Sequence, residues 1–549
     1  MIFSRFCYNA GIEVKAVLVL LSLQGWFSVF RLRRKTFMSK EGIPTEEEFT
    51  GWRKILWPIH NFELKKFLPM GLMMLCILFI YTLVRDLKDT LMVSKAICGG
   101  AETLGFLKLY GVTPSAILFM IVFVKLANVL EREKLFYAIV LFFLTFFVTF
   151  GFVLYPLRDI LHFSEDTILS LQSSYPRLHW VWPVIGNWSF SLFYILAELW
   201  GSVVLSALFW QFANEITKVK ESKRFYALFG MIGNVGLLAS GSVIIFCANM
   251  AKSSAITNPN ADAFGTNLFY QMMSVLIFGV ILIGLYRWMN KNVLTDPRLY
   301  TPGEGTKKKS KPKLGMAESF KCIITSPYLL MIAVLVLAYG VSINLVEAVW
   351  KGQLKELCPD TNDYNAWMGR LSLTTGAVTI CSAIAAQNVF RKFSWKVAAL
   401  ITPVILLITS ILFYGFIMYK NSVGSGAELM GFSVLFLAVL VGFLQNSLSK
   451  GTKYTLFDST KQMAYIPLDP ELKVKGQAAV EILAGRGGKS GGAFIQSTLL
   501  MIVGGGVKLS SLVDILGSIV MIVVILWIIS VLGLSKRFEA LTAEKEKTE

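Results

Sequence analysis

About twelve runs of this chain are apolar for long enough to cross a bilayer core, which takes about 20 helical residues. They fall near residues 67–84, 105–127, 135–156, 183–211, 225–249, 267–287, 328–349, 366–389, 397–418, 427–448, 478–505 and 512–534. In hydrocarbon every backbone N–H and C=O must be paired within the protein, and runs of this length achieve that as helices. The expected fold is therefore an all-α polytopic membrane protein with about twelve transmembrane helices. Composition agrees: 55% of the 549 residues are hydrophobic and 16% are charged, where a soluble chain carries about 25% charged residues. The lipid bilayer is the first partner implied.

The net charge is +18. In a soluble protein that would suggest a nucleic-acid partner. Here the basic residues collect in loops, so no nucleic acid is expected. With both termini cytoplasmic, the inward loops hold about 22 Lys and Arg and the outward loops about 10, as the positive-inside rule requires. The longest basic loop runs from Asn290 to Phe320, includes Lys307-Lys-Lys-Ser-Lys-Pro-Lys313, and follows the sixth span. Six spans, a basic cytoplasmic loop and six more spans make a six-plus-six, major-facilitator-like arrangement. The expected divisions are an N-terminal extension over 1–52, a six-helix bundle over 53–289, a basic linker over 290–327, a second bundle over 328–534 and a charged tail over 535–549. Residues 14–30 are apolar but short, with Arg31, Arg33, Arg34 and Lys35 after them. That order does not suit a signal peptide; an interfacial segment or an over-long start, with Met38 as the first residue, fits better.

Seven scattered cysteines form no CxxC pair, and His60, His162 and His179 do not cluster. No metal, cofactor or disulfide framework is expected. No nucleophile with a paired general acid and base is visible either, so the chain does not read as an enzyme.

The informative residues are charges at apolar depth, each costing about 2.5–3.5 kcal/mol on insertion scales. Arg85, Asp86, Lys88 and Asp89 stand at the expected end of the first span, where an interfacial ion-pair cluster is the plain alternative. Lys108 lies early in the second span, where snorkelling to the surface is the alternative. Glu198 is mid-span, about 20 Å from either end at 1.5 Å per residue, so it must face a cavity or a cation. Glu347 and Lys351 close the seventh span at i,i+4 spacing, on one helical face. Lys489 sits in Gly485-Arg-Gly-Gly-Lys-Ser-Gly-Gly. That string falls short of a phosphate-binding P-loop, which needs Gly at 483 where the chain has Leu483. Glycines still let backbone amides approach an anion, and a lysine supplies charge. Asn234, in Gly230-Met-Ile-Gly-Asn-Val-Gly of the fifth span, is its repeat counterpart. Embedded cations outnumber deep anions, which points to an anionic, phosphorylated solute.

Several long strings are similar to the nucleotide transporter family. They include Leu83-Val-Arg-Asp-Leu-Lys-Asp-Thr-Leu, Ala197-Glu-Leu-Trp-Gly-Ser-Val, Phe209-Trp-Gln-Phe-Ala-Asn-Glu and Arg224-Phe-Tyr-Ala-Leu-Phe-Gly in the first half. Ile343-Asn-Leu-Val-Glu, Lys453-Tyr-Thr-Leu-Phe-Asp-Ser-Thr-Lys, Met463-Ala-Tyr-Ile-Pro-Leu-Asp and Gly488-Lys-Ser-Gly-Gly-Ala follow in the second. The family comprises ATP/ADP translocases of obligate intracellular bacteria and of plastids. The resemblance covers roughly Trp52 to Leu534 and is nearest to the chlamydial branch. It implies uptake of ATP from a host cytosol in exchange for ADP, without hydrolysis, across a bacterial inner membrane. It also implies transport roles for Lys108, Glu198, Glu347 and Lys489, and a role for Asn234 in nucleotide handling and in phosphate movement with ADP. The chain departs from the family at Gln477 and Glu481, in a stretch that relatives often read as Gly-Lys-Ala-Ala-Ile-Asp. The first 50 residues have no counterpart there.

The resulting expectation is a central cavity in which Lys108 and Lys489, with Arg85 and Lys88, hold phosphates. Glu198 and Glu347 would pair with Lys108 and Lys489 when the cavity is empty. A proton-coupled nucleotide importer of the same fold, with Glu198 or Glu347 as proton carrier, is the alternative. The sequence leaves the oligomeric state open, and a monomer is compatible with either mechanism.

Overall fold

The computed structural model describes residues 59–258, 261–300, 323–424, 426–429, 431–469, 476–477, 479–480 and 484–548. The N-terminal extension, the Lys307–Lys313 run and Glu481 lie outside the described residues.

Eleven of the described helices are long and apolar enough to cross a membrane. In chain order they are α1 (Asn61–Lys95), α2 (Thr103–Val129), α3 (Arg132–Leu154), α4 (Trp188–Ile216), α5 (Arg224–Thr257), α6 (Ala263–Asn292), α7 (Pro327–Leu357), α8 (Thr361–Lys392), α9 (Trp395–Val423) and α10 (Val434–Ala464). The eleventh expected span is a helix too, α11 (Gly485–Val503), but its Gly- and Lys-containing first half keeps it outside the eleven. Leu509–Ala543 is α12. The small strands Glu428–Leu429 and Phe432–Ser433 form a two-residue ladder in the loop before α10.

Local chemistry fixes where these helices begin and end. Asp262, Asp360 and Ser433 accept the first orphan amides of α6, α8 and α10, from Gly265, from Asn362 and Asp363, and from Phe436, which is what N-cap side chains do. Ser326 caps α7, and Pro327 follows at its first position, where a missing N–H is harmless. α11 stops at Gly504, and Gly504, Gly505 and Gly506 all have positive φ, at 68°, 67° and 74°. That run of left-handed backbone suits glycine alone.

Five spans contain a wide π turn: Leu91–Lys95 in α1, Leu107–Val112 in α2, Phe150–Leu154 in α3, Gly201–Phe209 in α4 and Lys453–Phe457 in α10. Such turns hold one residue more than α geometry and gather at functional sites.

Two seams join the first six helices to the last six: α5 against α8, and α2 against α11. Glycines set the closeness. A Cβ on Gly241 of α5 would stand 2.6 Å from the Gly369 carbonyl of α8, and one on Gly105 of α2 would stand 3.3 Å from the Ala493 carbonyl of α11. In lipid, helices associate by such small-residue packing, because apolar side chains gain little by leaving lipid tails. The outer surface is apolar, with Leu118, Ile121 and Val124 of α2 exposed, as are Ile411 and Leu412 of α9 and Ile525 and Ile529 of α12.

Polar ties between the halves cluster away from the face where α6 ends and α7 begins. Asn365 of α8 donates to Thr90 of α1 at 3.0 Å and accepts from Gln271 of α6 at 2.7 Å. Lys355 of α7 donates to Ser94 of α1, Lys252 of α5 pairs with Asp363 of α8, and Glu102 accepts the Leu509 amide at 2.9 Å.

Candidate functional site

The charged string of the first span does not close that span. Helix α1 runs on to Lys95, and Asp86, Lys88 and Asp89 are at most 2% exposed. Helix α7 likewise continues past Glu347 and Lys351 to Leu357. Both extensions follow from pairing: neutralised charges sit inside the bundle and let the helix continue at depth.

The pairing builds a single network. Lys88 of α1 lies 2.9 Å from Asp89 and 3.1 Å from Glu198 of α4, and its amine caps the Tyr194 ring at 3.7 Å, a cation–π placement. Lys351 of α7 lies 2.8 Å from Asp89 and 3.0 Å from Glu347. Glu347 also receives Lys450 of α10 at 3.4 Å. Arg85 lies 3.2 Å from Asp86 and donates to Ser372 of α8 at 2.9 Å, while Ser372 donates to Asp86. Helices α1, α4, α7 and α10 thus meet through their charges.

Lys108 sits in the π turn of α2 and donates to the Asn344 side-chain oxygen of α7 at 2.8 Å. It points into the bundle and does not snorkel. Asn344 is held in turn by its Nδ2 donating to the Gly340 carbonyl at 2.8 Å. Lys489 of α11 is exposed and, among the described residues, has no hydrogen-bond or ion-pair partner, yet its charge reaches Glu198. Glu198 and Glu347 therefore do not pair with Lys108 and Lys489, as the sequence suggested. They take Lys88, and Lys351 with Lys450, because those amines share the helical face or the facing helix. Asn234 stands apart: its Nδ2 donates back to the Gly230 carbonyl of its own helix at 2.9 Å.

Six cations (Arg85, Lys88, Lys108, Lys351, Lys450 and Lys489) thus meet four carboxylates (Asp86, Asp89, Glu198 and Glu347). Glu198 and Glu347 keep 26% and 19% of their side chains exposed. A charged side chain at that depth is accessible to water and not to lipid. The arrangement can attract and hold a multiply charged anion. It offers no nucleophile poised beside a base.

Sequence reasoning missed Lys450 and Asn344 as members of this network. The tenth span is expected to end at 448, which leaves Ser449-Lys-Gly-Thr-Lys-Tyr454 in a loop. The helix continues past 448 because Lys450 is neutralised by Glu347 of α7 and Lys453 by Asp458. The i,i+4 spacing of Lys450, Tyr454 and Asp458 is the signal that would have found this continuation.

Comparison with known proteins matches a family described as "TLC ATP/ADP transporter" to residues 43–538. The chain is 47% identical over 507 residues to "ADP,ATP carrier protein 1" of Chlamydia pneumoniae, covering 91% of this chain and 97% of that protein. It is 46% identical over 507 residues to "ADP,ATP carrier protein 1" of Rickettsia prowazekii, covering 92% and 99%. Among solved structures, a bacterial homologue of the iron transporter ferroportin in an inward-facing state superposes with a TM-score of 0.54 at 13% identity, over 87% of this chain and all of that one. That likeness concerns the major-facilitator-like fold alone.

Proposed function

This chain belongs to the TLC ATP/ADP transporter family, and on that premise we propose that it imports ATP from a host cytosol in exchange for ADP, by alternating access, in a bacterial inner membrane. It is an integral membrane transporter and not an enzyme. The observation that carries the reading is a surplus of cations in this interior: Arg85, Lys88, Lys351 and Lys450 are matched by four carboxylates, and Lys108 of α2 and Lys489 of α11 are left over. A polyphosphate neutralises that excess; an uncharged solute does not.

In this reading the face where α6 ends and α7 begins is cytoplasmic, in keeping with the basic sequence between them. The ties at the opposite face, Asn365 to Thr90 and Lys355 to Ser94 among them, hold the outward entrance shut. Opening it separates Asp89 from Lys351 and frees both for rearrangement around the nucleotide. Lys108, Lys88, Arg85 and Lys489 bind the phosphates, with Glu198 and Glu347 as exchangeable counter-charges. Asn234 acts from α5 in handling nucleotide and the phosphate that accompanies ADP. Slow return of an empty, positively charged site makes the process an exchange.

The test is counter-exchange by the full chain in liposomes. Labelled ATP should enter vesicles loaded with ADP and emerge chemically unchanged. Uptake into nucleotide-free vesicles that follows an imposed proton gradient overturns the reading.

A further inference from the structure

Several polar groups of this interior lack a hydrogen-bond partner among the described residues; the Tyr194 and Tyr364 hydroxyls are fully buried, whereas the Lys489 amine and the Tyr454 hydroxyl belong to exposed side chains. Almost every other charge there is answered. Lys88 and Lys351 share Asp89, Arg85 has Asp86, and Lys453 has Asp458 at 3.0 Å. Tyr454 is 50% exposed, although it lies in the middle of α10. It sits four residues past Lys450, so the two project from one helical face. That face turns inward, because Lys450 reaches Glu347 of α7.

The surroundings of Tyr454 are cationic. The Lys453 amine stands 4.4 Å from its ring centroid. Arg85, Lys450 and Lys489, from three different helices, all lie within electrostatic reach of its hydroxyl. Cations attract the oxygen end of the O–H dipole and turn its hydrogen away, toward whatever anion fills the space between them. A phenol can donate one hydrogen bond without adding charge, and a bond to an ionised oxygen is stronger than a neutral one. The π turn Lys453–Phe457 begins one residue before it, which sets the ring at an angle that regular α geometry would not give.

We propose that Tyr454 is a substrate-binding residue whose hydroxyl donates a hydrogen bond to a phosphoryl oxygen of the travelling nucleotide, alongside the unpaired Lys489 amine. The assignment rests on the nucleotide-exchange reading. It adds a neutral donor to a site otherwise made of charges, on the second half of the chain. It also makes recognition at this point indifferent to the base.

The experiment compares Tyr454→Phe, Tyr454→Ala and Lys489→Gln in ADP-loaded proteoliposomes, with unfolding temperature recorded for each purified variant. Tyr454→Phe should raise the KM for ATP about tenfold, with maximal rate and unfolding temperature near those of the parent. The loss should be equal for every nucleotide that the parent accepts. An unchanged KM in Tyr454→Phe, with a loss confined to Tyr454→Ala, would assign the ring to stacking and overturn the proposal. A Tyr454→Phe that exchanges normally while Lys489→Gln fails overturns it too, yet leaves nucleotide exchange standing. Normal exchange in Lys489→Gln as well would sink the phosphate reading itself.

Discussion

The Lys351 amine lies 2.8 Å from the Asp89 carboxylate and so ties the seventh span to the first through two side chains that are only 2–3% exposed. The tie spans the two halves of the molecule at its charged centre. Lys351→Met leaves Asp89 with Lys88 alone and Glu347 with Lys450 alone. An uncompensated buried charge costs about 3–5 kcal/mol. Thermal unfolding in detergent should show a clear drop for Lys351→Met and a smaller one for the double variant Asp89→Asn/Lys351→Met, in which the under-compensated Asp89 charge is removed as well. Additive losses would show that the two residues do not act as a pair.

The amide cluster on the opposite face yields a second expectation. Asn365→Leu removes the acceptor of Gln271 and of Asn267, and the donor to Thr90. Each orphaned buried group costs about 1–3 kcal/mol. In a background lacking the native cysteines, a cysteine placed at Ser94 should react faster with a membrane-impermeant thiol reagent when Asn365→Leu is present. Equal rates would mean that this cluster does not hold the face closed.

Gly241 tests the α5–α8 seam. Its missing Cβ would meet backbone, the Gly369 carbonyl at 2.6 Å and the Leu373 amide at 2.7 Å, so no side-chain rotation relieves the clash. Gly241→Ala should lower both unfolding temperature and exchange rate. Gly284→Ala on α6, where nothing lies within 4 Å, should leave both unchanged or raise stability slightly. The reverse ranking would remove close backbone approach as the basis of the seam.

His162, in the segment between α3 and α4, supplies the pH expectation. Burial, helped by the nearby Arg158, holds its pKa down at about 4, and Ser189 lies 2.7 Å from its Nε2. The folded protein therefore prefers the neutral ring, while the unfolded chain protonates it near pH 6.5. Its contribution is complete above about pH 6.5 and is lost as pH falls toward 4, at no more than about 1.4 kcal/mol per unit. The fall in unfolding temperature between pH 7.5 and 5 should be smaller in His162→Asn than in the parent.

Apolar length made the spans legible in the sequence, and the same property hid part of the site. A stretch such as Phe136–Thr149 reads as membrane helix because every neighbour is apolar. The stretch from Ser449 to Lys453 reads as loop because its neighbours are polar, and only its packing against other helices explains why it stays helical. Glu198 was legible from depth alone. Its partner was not, since Lys88 reaches it from α1 across 110 residues of sequence, and no spacing rule connects positions that meet only through tertiary packing. Asn234 shows the opposite limit. A glycine-rich string marks a close helix contact, here against Leu75 and Gly376, without saying that the polar residue inside it faces the cavity.

The wide turns leave a mark on how such a chain can vary. Each π segment is an inserted residue that the helix has absorbed. Deleting one position from Leu107–Val112 would restore α winding there while the helix beyond it, with the lipid-facing Leu118 and Ile121, keeps its present orientation. Only residues within the turn, Lys108 among them, would look elsewhere. Single-residue deletions inside these turns should therefore leave a folded protein that no longer transports, whereas a deletion in regular α winding rotates everything beyond it by about 100° and should prevent folding. A gap inside one of these turns in a relative would mark a site rebuilt around a different set of side chains.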